Sequence, residues 1–140
     1  MKTVLVPTLV AAKNIDSLNA SFIDSEKDID NGMVFSAGDY SKEQVYDVAA
    51  VSELTNLYMA FSPEDTIITD AMGNEYKIGI NDPRTFTNVK GKVFSAFKPQ
   101  VGDRIVMTAE GFSNEISTNK FAVAKENSNK LESASAAGTG

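Results

Sequence analysis

Short runs of alternating apolar and polar residues recur at roughly ten-residue spacing from Gly32 onward, and that spacing limits this chain more than any other feature. Alternation sends successive side chains to opposite faces of an extended backbone. Gln44 to Val51 puts Val45, Asp47, Ala49 and Val51 on one face and Tyr46, Val48 and Ala50 on the other. Leu57 to Phe61 turns Leu57, Met59 and Phe61 the same way. Further runs cover Met33 to Ser36, Thr66 to Thr69, Glu75 to Ile80, Lys92 to Phe97, Arg104 to Ala109 and Lys120 to Ala124. Ile105, Met107 and Ala109 share one side, and Phe121 and Val123 are expected to face inward. Turn formers punctuate these runs: Gly38-Asp39, Ser62-Pro63-Glu64-Asp65, Asn81-Asp82-Pro83-Arg84 and Lys98 to Asp103. The loop Asp70 to Asn74, with Gly73 inside it, predicts a hairpin. No stretch sustains a helical apolar period. The expected fold is therefore all-β, a small barrel or sandwich of about seven to nine short strands.

The 140 residues suit one domain, and the 42% hydrophobic content is enough for one core. The ends differ from the middle. Residues 1–13 are β-prone but contain Pro7, which fits an edge strand or an extended arm. Lys2 before an apolar stretch ending in Ala11-Ala12 has the outline of a signal peptide, yet Pro7 breaks it and it is short. Residues 14–31 are polar and acidic and read as loop, with one short turn around Leu18, Phe22 and Ile23. From Glu126 the chain turns to Ser, Ala, Asn and Gly, which bury too little apolar area to offset ordering entropy. The expected organisation is an arm over 1–13, a β domain over 14–125 and a flexible tail over 126–140.

Composition also narrows the chemistry. There is no His, no Cys and no Trp. The usual proton shuttle, the thiol nucleophile and the two best zinc ligands are thus missing together. No enzyme, metal or cofactor is expected. The net charge is −6, and the 13 Lys and Arg are scattered, with Lys90 and Lys92 the closest pair. A phosphate backbone needs a basic stripe, so nucleic acid is not expected as a partner. No apolar run reaches the length that spans a bilayer, so no membrane is expected either.

Four local patterns invite sharper readings. The acidic run Asp24 to Gly32 suggests a calcium loop, but placing Gly32 at the turn position puts Lys27 first and Gly38 last, where carboxylates belong. Glu64 and Asp65 sit in a turn with nothing to set a partner across a cleft. Lys90-Gly91-Lys92 lacks the spacing of a phosphate loop, so Gly91 reads as a tight-turn residue. Tyr58, Phe61, Phe94, Phe97 and Phe112 alternate with aliphatic residues and read as core rather than as base-stacking platforms.

Three segments carry a family resemblance: Asp30-Asn31-Gly32-Met33-Val34; Gln44 to Ala49 running into Leu57 to Glu64; and Phe97 to Met107 with its Val101-Gly102-Asp103 step. In order and spacing they resemble capsid decoration or head-surface proteins of tailed bacteriophages, chiefly those of Gram-positive hosts. The likeness covers residues 30–110, over half the chain. It implies a virion structural protein on the capsid exterior, bound to the major capsid protein, to copies of itself, or to both. It implies no catalytic residue. The apolar arm is the expected contact, through Val4, Leu5, Val6, Pro7, Leu9 and Val10, adding a strand to a neighbour's edge. The loop 14–31 is expected to assist. Two rival readings are a tail, connector or head-fibre attachment protein, and a small carbohydrate- or ligand-binding β module with Tyr40, Tyr46, Tyr58 or Tyr76 facing outward.

Overall fold

Eleven short strands and three single-turn 3-10 segments account for the regular structure among the described residues. The structure is a computed structural model that describes residues 2–40, 44–52, 56–62, 65–69, 71–73, 75–80, 86–116 and 120–136. The strands are β1 Leu5–Leu9, β2 Asn19–Ile23, β3 Val34–Tyr40, β4 Val45–Ala49, β5 Tyr58–Ala60, β6 Asp65–Thr69, β7 Glu75–Ile80, β8 Phe94–Phe97, β9 Arg104–Met107, β10 Phe121–Val123 and β11 Glu132–Ala134. The all-β reading holds; β3 to β10 fall on runs expected from alternation, β1 lies in the β-prone N-terminal stretch, and β2 and β11 fall on neither.

Five strands close into a barrel in the order β2-β4-β3-β5-β8. An odd ring cannot alternate direction all the way round, so at least one neighbouring pair must be parallel. Here it is β2 with β4, and the remaining pairs are antiparallel. Three two-stranded ribbons sit outside the ring: β1-β9, β6-β7 and β10-β11. The β6-β7 ribbon is the hairpin expected around Gly73.

Strand alternation divides the core in two. Phe22, Phe35, Tyr46, Val48, Tyr58, Ala60, Phe94 and Ala96 point into the barrel. The Phe22 ring meets Phe35 edge-on at 4.8 Å and Tyr58 at 4.9 Å. Ala20, Ala96 and Ala60 lie side by side across three strands, and this row of small side chains leaves room for the rings. The intervening residues Val34, Met59 and Phe97 form a second row on the outside of the wall. Leu5, Val10 and Ala12 from the N-terminal segment cover that row, joined by Ile105, Met107 and Leu131. Each large side chain removed from water here contributes about 1.5–3 kcal/mol. The aromatics expected in the core behave accordingly, with Phe94 and Phe97 buried and Tyr58, Phe61 and Phe112 partly so.

A buried polar knot fastens one end of the ring. The Asn31 side-chain carbonyl accepts from Ser62 N–H and from the Asn88 amide, both near 3 Å, while its own amide donates to Ser62 C=O at 3.0 Å. Asn88 also exchanges backbone bonds with Ile29 at 2.9 Å. Such a knot is stable only when every member is paired, because a buried orphan costs its full desolvation.

Several expectations change. Residues 14–31 are not simply loop: β2 lies within them and pairs on both sides, with Phe22 at the barrel centre. Gly38-Asp39 does not end a strand. It forms an irregularity inside β3, and Asp47 O lies 3.0 Å from where a Cβ on Gly38 would stand, so any side chain there would crowd that carbonyl. The compositional break at Glu126 does not coincide with the end of the packed chain. Val34 and Asn129 exchange bonds of 2.8 and 2.9 Å, Asn127 N–H donates to Val51 C=O, and β11 pairs with β10. Amide hydrogen bonds dock this segment, with Leu131 packed against the outer row of the core. Phe121 does not turn inward; it is exposed at the surface end of β10.

Candidate interaction surface

The N-terminal segment is a strand of this chain's own fold. β1 runs antiparallel to β9, with Leu5 opposite Met107, Val6 opposite Val106, and Pro7 opposite Ile105. Leu5, Pro7 and Val10 are buried, and Val4 is half-buried with its N–H bound to the Thr108 hydroxyl at 2.9 Å. Those four residues of the expected contact set therefore serve the fold. Val6 and Leu9 remain outward, 49% and 61% exposed. Residues 1–13 are not an arm separable from the core, because Leu5, Val10 and Ala12 cover the outer row of the barrel wall.

The register explains how Pro7 is tolerated. Thr108 N–H donates to Val4 C=O at 3.0 Å, so position 4 is hydrogen-bonded to β9. Bonded positions alternate along an antiparallel ladder. Pro7 thus falls where an N–H would point away from β9, and its missing donor costs the ribbon nothing. The Pro7 carbonyl on that outer edge accepts Lys13 Nζ at 2.7 Å. A donorless residue beside a capped carbonyl makes this edge a poor template for another strand. The expected strand addition through β1 is not favoured.

The outward face of the ribbon is apolar at its centre and charged at its ends. Val106, 61% exposed, stands directly across from Val6. Leu9 stands across from exposed Arg104. At the far end the Thr108 hydroxyl accepts from Val4 N–H, and the Glu110 carboxyl lies beside it. Glu110's own backbone N–H and that hydroxyl hold its carboxyl below the usual glutamate value. Alternation that turns Ile105 and Met107 inward also turns Arg104 and Val106 outward. The sequence thus contained the signal for Val106, but nothing in it joined β9 to β1.

The other sequence candidates hold the fold together. Asp24 accepts the Glu26 and Lys27 N–H groups, Asp28 accepts Lys90 N–H, and Asp30 accepts the Thr87 hydroxyl and pairs with Lys2. These carboxylates face separate partners, and no cluster of three or more metal-ligating side chains occurs among the described residues. Gly91 does take a positive φ, as its turn requires. Tyr46 and Tyr58 pack toward the barrel interior, so among the side chains described only Tyr40 of that set faces outward, its ring leaning on Tyr46 at 4.8 Å. Glu64 and the side chains of Asp65 and Tyr76 lie outside the described residues. No helix of the described residues is long and apolar enough to cross a membrane. No protein-family model, curated protein or solved structure matches this chain.

Proposed function

We propose that this chain is a non-enzymatic structural protein of a bacteriophage particle, attached to the outer head surface through the outward face of the β1-β9 ribbon. The observation that carries the reading is the exposed Val6–Val106 pair with Leu9 beside it, on a ribbon braced from behind by the second core layer. Apolar side chains held on a rigid strand pair can dock without an ordering cost. The patch is small, and a symmetric shell multiplies a small contact by presenting many sites at once. The net charge of −6 suits a position away from packaged DNA. The order of strand segments over residues 30–110 supplies the phage context.

Particles of the phage that encodes the chain should contain it by mass spectrometry and show immunogold label on the head. The double variant V6E/V106E should keep the wild-type melting temperature and bind heads lacking the protein at least about tenfold more weakly. Absence from particles, label confined to the tail, or unimpaired binding by the variant would each overturn the reading.

A further inference from the structure

The two edges of the ribbon are not alike. β1 is closed on its outer side by Pro7 and the Lys13 contact. β9 has no second strand neighbour among the described residues. The same alternation that aims the Pro7 position outward leaves the N–H and C=O groups of Ile105 and Met107 pointing away from β1. We propose that two copies of the chain pair through these β9 edges, antiparallel about a two-fold axis beside Val106, into one four-stranded sheet. The inference rests on the ribbon being the contact surface, and it names a partner for that surface.

Charge selects the register. Placing Arg104 opposite its own copy would set like charges face to face, which is destabilising. Placing Val106 opposite its own copy sets Arg104 across from Thr108 of the second copy. The Glu110 carboxylate lies beside Thr108, so each Arg104 meets the other copy's carboxylate and the contact is made twice, once on each side of the axis. This is the self-complementarity a two-fold contact requires. Ile105 and Met107 then exchange about four backbone hydrogen bonds with Met107 and Ile105 of the other copy. Val106 falls at a non-bonded pair, where side chains approach most closely. Val6, Val106 and their two counterparts form one continuous apolar stripe on the face left for the shell. With one open edge on this ribbon, β9-to-β9 pairing ends at two rather than growing into fibres.

The chain has no cysteine, so one introduced thiol reports on its own. Paired residues at a non-bonded site lie about 4.5 Å apart at Cα, within disulfide reach. Under mild oxidation V106C should form a covalent dimer at least about tenfold faster than the control V101C, whose site is 107% exposed on the preceding turn. In sedimentation velocity the wild-type chain should run as a dimer. R104E should weaken association about tenfold, and R104E/E110K should restore it. A wild type that stays monomeric across the concentration series, V106C no faster than V101C, or a double swap without rescue would overturn the dimer. Head binding by a monomeric chain would sink the dimer and leave the docking reading standing. A dimer that fails to bind heads would do the reverse.

Discussion

Replacing Phe22 by alanine tests the barrel at its centre. Phe22 is 0% exposed and touches the rings of Phe35, Tyr46, Tyr58 and Phe94 at 4.8, 5.6, 4.9 and 6.3 Å. A buried phenylalanine removes about 150–250 Å² from water. At about 25 cal/mol per Å² that is about 4–6 kcal/mol, of which alanine keeps only the methyl share. The ring of four aromatics cannot collapse onto the gap without leaving its rotamers, so a cavity remains and the expected loss is about 3–5 kcal/mol. That is a large part of the about 5–15 kcal/mol a domain possesses, and a fall of about 8–16 °C in melting temperature at this size. Urea unfolding followed by far-UV circular dichroism and tyrosine fluorescence reads the loss, and the slope m should not change. The control is Ile15→Ala, at a half-exposed site before β2, expected to cost about 0.5 kcal/mol. If the two variants unfold alike, residues 19–23 do not form a barrel strand and the closed ring is wrong.

Three further outcomes follow from named contacts. Asn31→Ala strands Ser62 N–H and Ser62 C=O in the interior and leaves the Asn88 amide only its bond to Ile29 C=O, and should cost about 2–4 kcal/mol by urea titration. Gly32 and Gly102 both hold positive φ, but a Cβ on Gly32 would stand 2.7 Å from Met107 Sδ while one on Gly102 meets nothing. G32A should therefore lose about 1–2 kcal/mol more than G102A in matched thermal melts. A carboxyl held below its usual value adds stability above its unfolded-state pKa, and that gain disappears as pH falls through the folded value. Glu110 is such a group, so E110Q should lower the neutral plateau of the stability–pH curve slightly, flatten its acid limb, and leave stability unchanged below the folded value.

How much of this was legible depends on what kind of contact each element makes. Alternation alone placed Leu57, Met59 and Phe61 on one face and Ile105 with Met107 on another, because apolar area drives those strands. β2 was hidden because only Ala20 and Phe22 face inward, and the acidic residues around them describe the neighbouring turns instead. β11 was hidden because side-chain amides dock it: Asn114 brackets Ser133 with bonds of 2.9 and 2.8 Å, and such pairings leave no periodic trace. Gly38 reads as turn or bulge from sequence alike, since both use its missing Cβ. The outward face of the ribbon was half legible. Val6 and Leu9 were expected to lie at the contact, but the in-chain pairing with β9 needed the fold.

The closing contacts of this ring also govern when it can form during synthesis. Val4 bonds to Thr108, 104 residues later, and Asn19 at the start of β2 pairs with Phe97. No early stretch of the nascent polypeptide can complete the barrel by itself. The β2 and β5 edges that meet β8 therefore stay bare until Phe94–Phe97 has emerged, and closure of the ring waits on distant pairings. A slow elongation rate would lengthen the exposure of those edges without giving them anything to pair with, so the yield of soluble protein should depend on chaperone supply more than on codon choice.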